Sequence, residues 1–225
     1  MTRTAPRQDR SRRTEQALLD AALTLFRARG ADAVTVGDIA AAAGVAPATI
    51  YRRFTDKEGL QRVVFRTFIA RATAMVDALQ PGRRAPGLVD LMAQVTAVVL
   101  AFTRANQRYL QSAYARALVD DDYAAGIREL RASVLASLRS QVRAHAAEIG
   151  HPEPALAIEF VLQQALAMLS ARMDAGKLEV AALEERDFFR ELLRSLLGYL
   201  QVKTDVAQID AALARQGLHK DKPSH

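Results

Sequence analysis

The sequence predicts an all-α protein: an N-terminal three-helix helix-turn-helix head, joined by a fourth helix to a C-terminal helical domain. Three observations lead there. Apolar residues recur at spacings of three and four rather than two, β-branched residues are scattered among Ala, Leu, Arg and Gln, and Gly or Pro marks the ends of several periodic segments.

Met1 to Arg13 carries Arg3, Arg7, Arg10, Arg12 and Arg13 with no apolar run behind them, so it reads as a disordered basic arm and not as a secretory signal. Such an arm either tracks a phosphate or minor groove or only aids solubility. Leu18, Ala21, Ala22, Leu25 and Phe26 then form a helical stripe that stops at Gly30, a residue suited to the left-handed conformation past a helix end. Thr35, followed three residues on by Asp38, has the spacing of a capping box and predicts a short helix from Val36 to about Ala43. Gly44 interrupts it. Pro47 opens the next helix, through Phe54, because proline lacks an amide hydrogen that the first turn leaves unpaired anyway.

Thr55-Asp56-Lys57-Glu58 repeats the capping-box spacing, with Thr55 as the expected cap and Glu58 reaching back, and opens a long helix to about Leu79. Pro81 to Gly87 is punctuated by two prolines and two glycines and reads as a loop. Further helices are expected from Leu88 to Arg104, Gln107 to Leu118, Tyr123 to Ile149, Ala155 to Met173, Glu184 to Lys203 and Asp205 to Arg215. The implied organisation is an arm (1–13), a helix-turn-helix head (14–60), a helical domain (61–216) and a polar tail (217–225).

Half of the 225 residues are apolar and a quarter charged, the composition of a chain that folds. The net charge of +6 favours an anionic partner. With no cysteine the chain has neither disulfides nor thiolate metal sites, and a reducing cytoplasm fits. No uninterrupted apolar run approaches the roughly 18 residues that would span a bilayer, so no membrane association is expected. Enzyme signatures are absent: there is no G-x-S-x-G elbow, no phosphate-cradling glycine loop and no dinucleotide fingerprint. Asp120, Asp121 and Asp122 read as a helix cap rather than a cation site, since three consecutive carboxylates cannot all face one ion. His145, Glu148 and His151 lack metal spacing. No catalytic residue, cofactor or metal is therefore expected.

Thr35 to Leu60 has the layout of a helix-turn-helix, with Val36, Ile39, Ala40, Val45 and Ile50 as its small core. Ala46, Pro47, Thr49, Tyr51, Arg52 and Arg53 are left near the recognition surface. An Arg guanidinium can bond a guanine edge bidentately, Thr and Tyr hydroxyls reach phosphates, and a Thr methyl can touch thymine. Helix amides near Thr35, and Lys57 at the next helix start, can hold phosphates.

In order and spacing, Val34-Thr35-Val36-Gly37-Asp38-Ile39-Ala40, Ala43-Gly44-Val45, Thr49-Ile50-Tyr51-Arg52-Arg53-Phe54 and Asp56-Lys57-Glu58-Gly59-Leu60 resemble the tetracycline-repressor (TetR) family of transcriptional regulators, with the match running from Thr14 to about Val64. The resemblance implies backbone contacts to DNA from Thr35, Thr49, Tyr51 and Lys57, and base contacts from Ala46, Pro47 and Arg52. One position departs: the family often has Ser where this chain has Ala46, and alanine is a poor helix cap.

Beyond residue 80 the resemblance is only of helical layout. The segments 155–173 and 184–203, the latter with Phe188, Leu192, Leu196, Leu197 and Leu200, are apolar over more than one stripe, as expected if one side meets the core and another a second copy. Phe102, Leu110, Tyr114, Arg116, Phe160, Gln164 and Met168 are candidates for lining a small-molecule cavity, with core packing an equal account of the apolar ones. The expected protein is a cytoplasmic homodimeric regulator, a repressor released from double-stranded palindromic operator DNA by an effector. An all-α enzyme and an architectural DNA-binding protein without ligand response are the alternatives.

Overall fold

A computed structural model describes residues 5–78, 85–178 and 183–218. They form α1 (Ala5–Arg29), α2 (Val36–Ala43), α3 (Pro47–Phe54), α4 (Lys57–Ala78), α5 (Leu88–Ala117), α6 (Asp121–Arg143), α7 (Pro154–Leu178), α8 (Glu185–Tyr199) and α9 (Val206–Arg215), with one 3₁₀ turn at Ala146–Glu148 and no strand among the described residues. The all-α class holds. Residues 81–84 of the expected loop and 219–225 of the expected tail lie outside the described residues.

The chain divides into two compact units, Met1–Met75 with Ala105–Ala132 and Val76–Arg104 with Ser133–His225. The unit that holds the head thus also includes most of α4 and parts of α5 and α6. In this first unit Leu18, Ala22 and Phe26 of α1 are fully buried, with Ile39 of α2, Ile50 of α3 and Leu60 of α4. Tyr109 of α5 joins them, stacked on Phe26 at 5.7 Å and edge-on to Phe68 at 5.1 Å. Phe65 stacks on Tyr123 of α6 at 4.3 Å. The second unit is built around Leu88, Leu91 and Met92, with Ile158, Val161 and Leu162 of α7, Phe189, Leu193 and Leu196 of α8, and Ile209 and Leu213 of α9.

Two sequence expectations are corrected. α1 starts at Ala5, so the stretch read as a disordered arm is helical from there on. Arg and Gln are good helix formers, and the added turns are anchored by Arg53, which donates to Ser11 Oγ at 2.9 Å. The expected break between Arg104 and Gln107 is likewise absent, because α5 runs through it. Asn106 is buried there and its Oδ1 accepts from Arg27 Nε at 2.7 Å, so its side chain does not compete with the helix backbone.

Asp120 Oδ1 accepts from the Asp122 amide at 3.0 Å at the start of α6, while Asp120 and Asp122 pair with Arg62 and Arg66 of α4. These carboxylates serve a helix start and ion pairs. Leu88–Ala117 and residues 154–171 have the length and hydropathy to cross a membrane. Each also buries core residues, Leu88, Leu91 and Met92 in one and Ile158, Val161 and Leu162 in the other, which accounts for that composition.

Candidate nucleic-acid interface

The head is set by its caps. Thr35, extended at φ −92° and ψ 161°, accepts from the Asp38 amide on Oγ1 at 3.1 Å, and its own amide donates to Asp38 Oδ2 at 2.9 Å. Both halves of the expected capping box are present, and Arg29 lies 3.4 Å from the same carboxylate. The backbone and side-chain bonds from Thr35, helped by Arg29, hold Asp38 below the usual carboxylate range.

α2 ends at Gly44, left-handed at φ 66° and ψ 35°. The Gly44 amide donates to Ala41 O at 3.2 Å and the Val45 amide to Ala40 O at 3.0 Å, the bond pair of a Schellman motif. Val45 is half-buried. Ala46 then stands at the N-cap of α3 with no side-chain bond, as its methyl dictates, and Pro47 fills the first turn.

On α3, Ile50 and Phe54 face the core. Pro47, Ala48, Tyr51 and Arg52 are exposed, and residues 47 and 51, like 48 and 52, are one helical turn apart. This face carries an aromatic hydroxyl, a guanidinium and two small apolar groups, a combination that fits base edges and phosphates. Ala46 is exposed at its start and Thr49 half-buried at its side. Ala48, not singled out by the sequence, lies exposed one turn before Arg52 on this face.

Arg53 departs from expectation. Only a fifth of its side chain is exposed, and it turns to α1, donating from Nη2 to Ser11 Oγ at 2.9 Å with Nη1 3.5 Å from Glu15 Oε2. Lys57 is half-buried with Nζ donating to Asp32 O at 3.2 Å, which fixes its ammonium at the start of α4 while leaving it further donors. The end of α1 and the α1–α2 loop are held from several sides: Arg108 donates to Ala28 O at 2.8 Å, Gln61 to Ala31 O at 3.1 Å and Arg116 to Asp32 Oδ1 at 2.8 Å. The head therefore presents α3 from a braced platform.

Of the seven residues considered for a cavity, Leu110, Tyr114 and Arg116 fall in the first compact unit and Phe102, Phe160, Gln164 and Met168 in the second. Leu110 is buried, and the Arg116 guanidinium lies 5.8 Å from the centre of the Tyr123 ring while it holds Asp32. Phe102 and Tyr114 are half-buried on α5. Phe160, Gln164 and Met168 recur at every fourth residue of α7. Phe160 is half exposed and lies 4.9 Å from the Tyr199 ring, Met168 is exposed, and Gln164 donates to Ser195 Oγ at 3.4 Å.

Residues 18–64 match the family described as bacterial regulatory proteins, tetR family. Over 58 residues the chain is 48% identical to the HTH-type transcriptional repressor KstR2 of Rhodococcus jostii (strain RHA1), covering 26% of this chain and 28% of that protein. Over 62 residues it is 40% identical to the HTH-type transcriptional repressor ComR of Escherichia coli (strain K12), covering 28% and 30%. The chain thus matches less than a third of the length of these relatives. Across most of its length it shares the fold of a tetR-family transcriptional regulator from Streptomyces coelicolor, with a TM-score of 0.60, 17% identity and 92% of each chain covered.

Proposed function

We propose, from the match of residues 18–64 to the tetR family of bacterial regulatory proteins, that the chain is a cytoplasmic, homodimeric DNA-binding repressor of that family, released from its operator by a small molecule. The observation that carries this is the exposed face of α3. Tyr51 and Arg52 project from a helix whose opposite face, Ile50 and Phe54, is locked into the core, so the backbone that carries them is fixed before DNA arrives. A fixed helix backbone lowers the ordering cost of binding, and a bidentate Arg–guanine contact contributes about 1 to 3 kcal/mol of discrimination. Thr35, Thr49 and Lys57 supply backbone contacts around that face, and Ala46, Pro47 and Ala48 supply small apolar ones. The protein acts by binding and not by catalysis.

A second copy meets α7 and α8. Leu156, Phe160 and Met168 of α7 and Tyr199 of α8 are large apolar side chains left exposed, while the opposite sides of both helices fill the core of the second unit. A two-fold pairing of such a face buries it against itself and gives two heads for a two-fold operator. The effector site is assigned to the second compact unit, with Phe102, Phe160, Gln164 and Met168 as candidates. A coupling of about 1 to 3 kcal/mol between effector and DNA changes operator affinity severalfold to a hundredfold, provided the ligand prefers one conformation.

The test is binding to a duplex selected by the protein from random sequence and to its scrambled counterpart, at two salt concentrations. Wild type is expected to prefer the selected duplex, and Tyr51→Ala and Arg52→Ala to lose that preference. Sequence-indifferent binding by the wild type would overturn the reading.

A further inference from the structure

We propose that the N-terminal turns of α1 form a second DNA-contacting element, a basic helix clamped beside α3 that lies along the phosphates flanking the bases α3 reads. This rests on the DNA-binding reading above and extends it to residues outside the helix-turn-helix.

α1 begins at Ala5, and among its side chains from Asp9 onward the first buried one is Leu18. Between Asp9 and Ala17 every side chain is exposed or half-buried, so no apolar burial holds these turns, and a short helix in water is marginal alone. What holds them is polar. Ser11 and Glu15, one turn apart, continue the line of Leu18, Ala22 and Phe26 at helical spacing. The face that enters the core further along therefore meets α3 here, and Arg53 spans both residues. The clamp has a cost, since Arg53 Nε is buried without a hydrogen-bond partner. A tail that only kept the protein soluble would not need it.

The clamp also sorts the charges. Arg53 neutralises Glu15, while among the described residues Arg10, Arg12 and Arg13 are exposed with no acidic partner. Elsewhere in the same unit Arg29, Arg62, Arg66, Arg71 and Arg116 each sit against an aspartate. Unpaired guanidiniums on a helix fixed to the recognition helix are placed for an anionic partner that α3 has already brought close, and a DNA backbone is that partner. Such contacts add affinity and salt dependence without reading sequence.

The experiment compares the full-length wild type with an Arg10→Gln/Arg12→Gln/Arg13→Gln variant and with a Ser11→Ala/Glu15→Gln variant, on the selected and scrambled duplexes across a salt series. Thermal unfolding checks that each is folded. The triple variant is expected to bind both duplexes more weakly, with the slope of log affinity against log salt reduced by about 0.9 for each phosphate it no longer neutralises, up to about 3 per protomer. Its preference for the selected duplex should persist. The clamp variant keeps all three arginines yet is expected to lose hydroxyl-radical protection of the flanking backbone. Wild-type affinity and slope in the triple variant, with Tyr51→Ala still abolishing specific binding, would overturn this inference alone; no specific binding by the wild type would remove both. Unchanged flanking protection in the clamp variant would overturn the fixed placement of the helix.

Discussion

Two tight turns bracket α3, and they meet the same need by different means. Before it, Gly44 takes a left-handed conformation at φ 66°, and a Cβ built on it would meet nothing within 4 Å. After it, Thr55 sits at φ 66° and ψ −54°, and the Asp56 amide donates to Phe54 O at 2.7 Å, closing a γ-turn about a β-branched residue. There the glycine is displaced to Gly59, in α4, where a Cβ would lie 2.2 Å from Phe54 O. In the first turn glycine grants a backbone angle; in the second it grants room. The first tolerates a side chain at the expense of strain alone, whereas the second lets the last carbonyl of α3 approach the α4 backbone and so fixes how the recognition helix is carried.

The difference predicts an order of damage. Gly59→Ala should be the most harmful substitution in the head, because its methyl meets a backbone carbonyl that cannot rotate away. Overpacking of this kind costs about 1 to 3 kcal/mol or more, and here it also tilts α3. Urea unfolding and operator titration should both register it, and a midpoint equal to wild type would mean that the α3–α4 junction yields to a methyl group without strain. Gly44→Ala comes next. With space available it should cost only the left-handed conformation, about 1 to 2 kcal/mol, with operator preference retained once the protein is folded.

The same pair of turns shows what can be read from the chain. The α2–α3 turn is legible in full, since Thr35, Asp38, Gly44 and Pro47 each have one strong local use and the uses agree. The α3–α4 turn is legible only in position. Two overlapping frames, Thr55 to Glu58 and Asp56 to Gly59, offer the same cap spacing, and the γ-turn removes Thr55 from service. Asp56 Oδ1 accepts from the Gly59 amide at 2.7 Å, and Glu58 instead pairs with Arg62 at 2.9 Å. The helical start of α1 escapes the sequence for a different reason: its anchor, Arg53, lies far along the chain, and a basic stretch without apolar residues carries no periodic signal of its own. The expected break in α5 fails because burial of Asn106 depends on Arg27 of α1. Helix class, the head and the exposed face of α3 are thus readable locally, while partners distant in sequence are not.

Thr55→Gly sharpens the comparison from the other side. A β-branched residue in this region stores strain of about 1 to 3 kcal/mol, and glycine relieves it while adding about 0.5 to 1 kcal/mol of unfolded-state entropy. The expected result is a small rise in the urea midpoint, opposite in sign to Gly44→Ala although both substitutions exchange glycine with a larger residue at positive φ. A fall instead would show that the Thr55 side chain contributes more at this junction than its backbone costs.

The smallest effect concerns pH and lies on the other side of the first turn, at the cap that opens α2. Asp38 is held below the usual carboxylate range by its bonds to Thr35, with Arg29 adding to them. A carboxyl whose folded pKa lies below its unfolded one favours the folded state when ionised. Its contribution is therefore complete above the unfolded value, declines as pH falls below it, and is gone once pH has passed through the lower folded value. Asp38→Asn removes the ionisation and keeps the shape. Wild type should thus exceed Asp38→Asn in urea midpoint at pH 7, and the gap should narrow on acidification below about pH 4, the ordinary carboxylate range. The Thr35–Asp38 box and the α3–α4 turn have no residue in common, so the narrowing should be unchanged in a Thr55→Gly background. A gap that stayed constant from about pH 7 to about pH 3 would mean that the box holds α2 by geometry and not by charge.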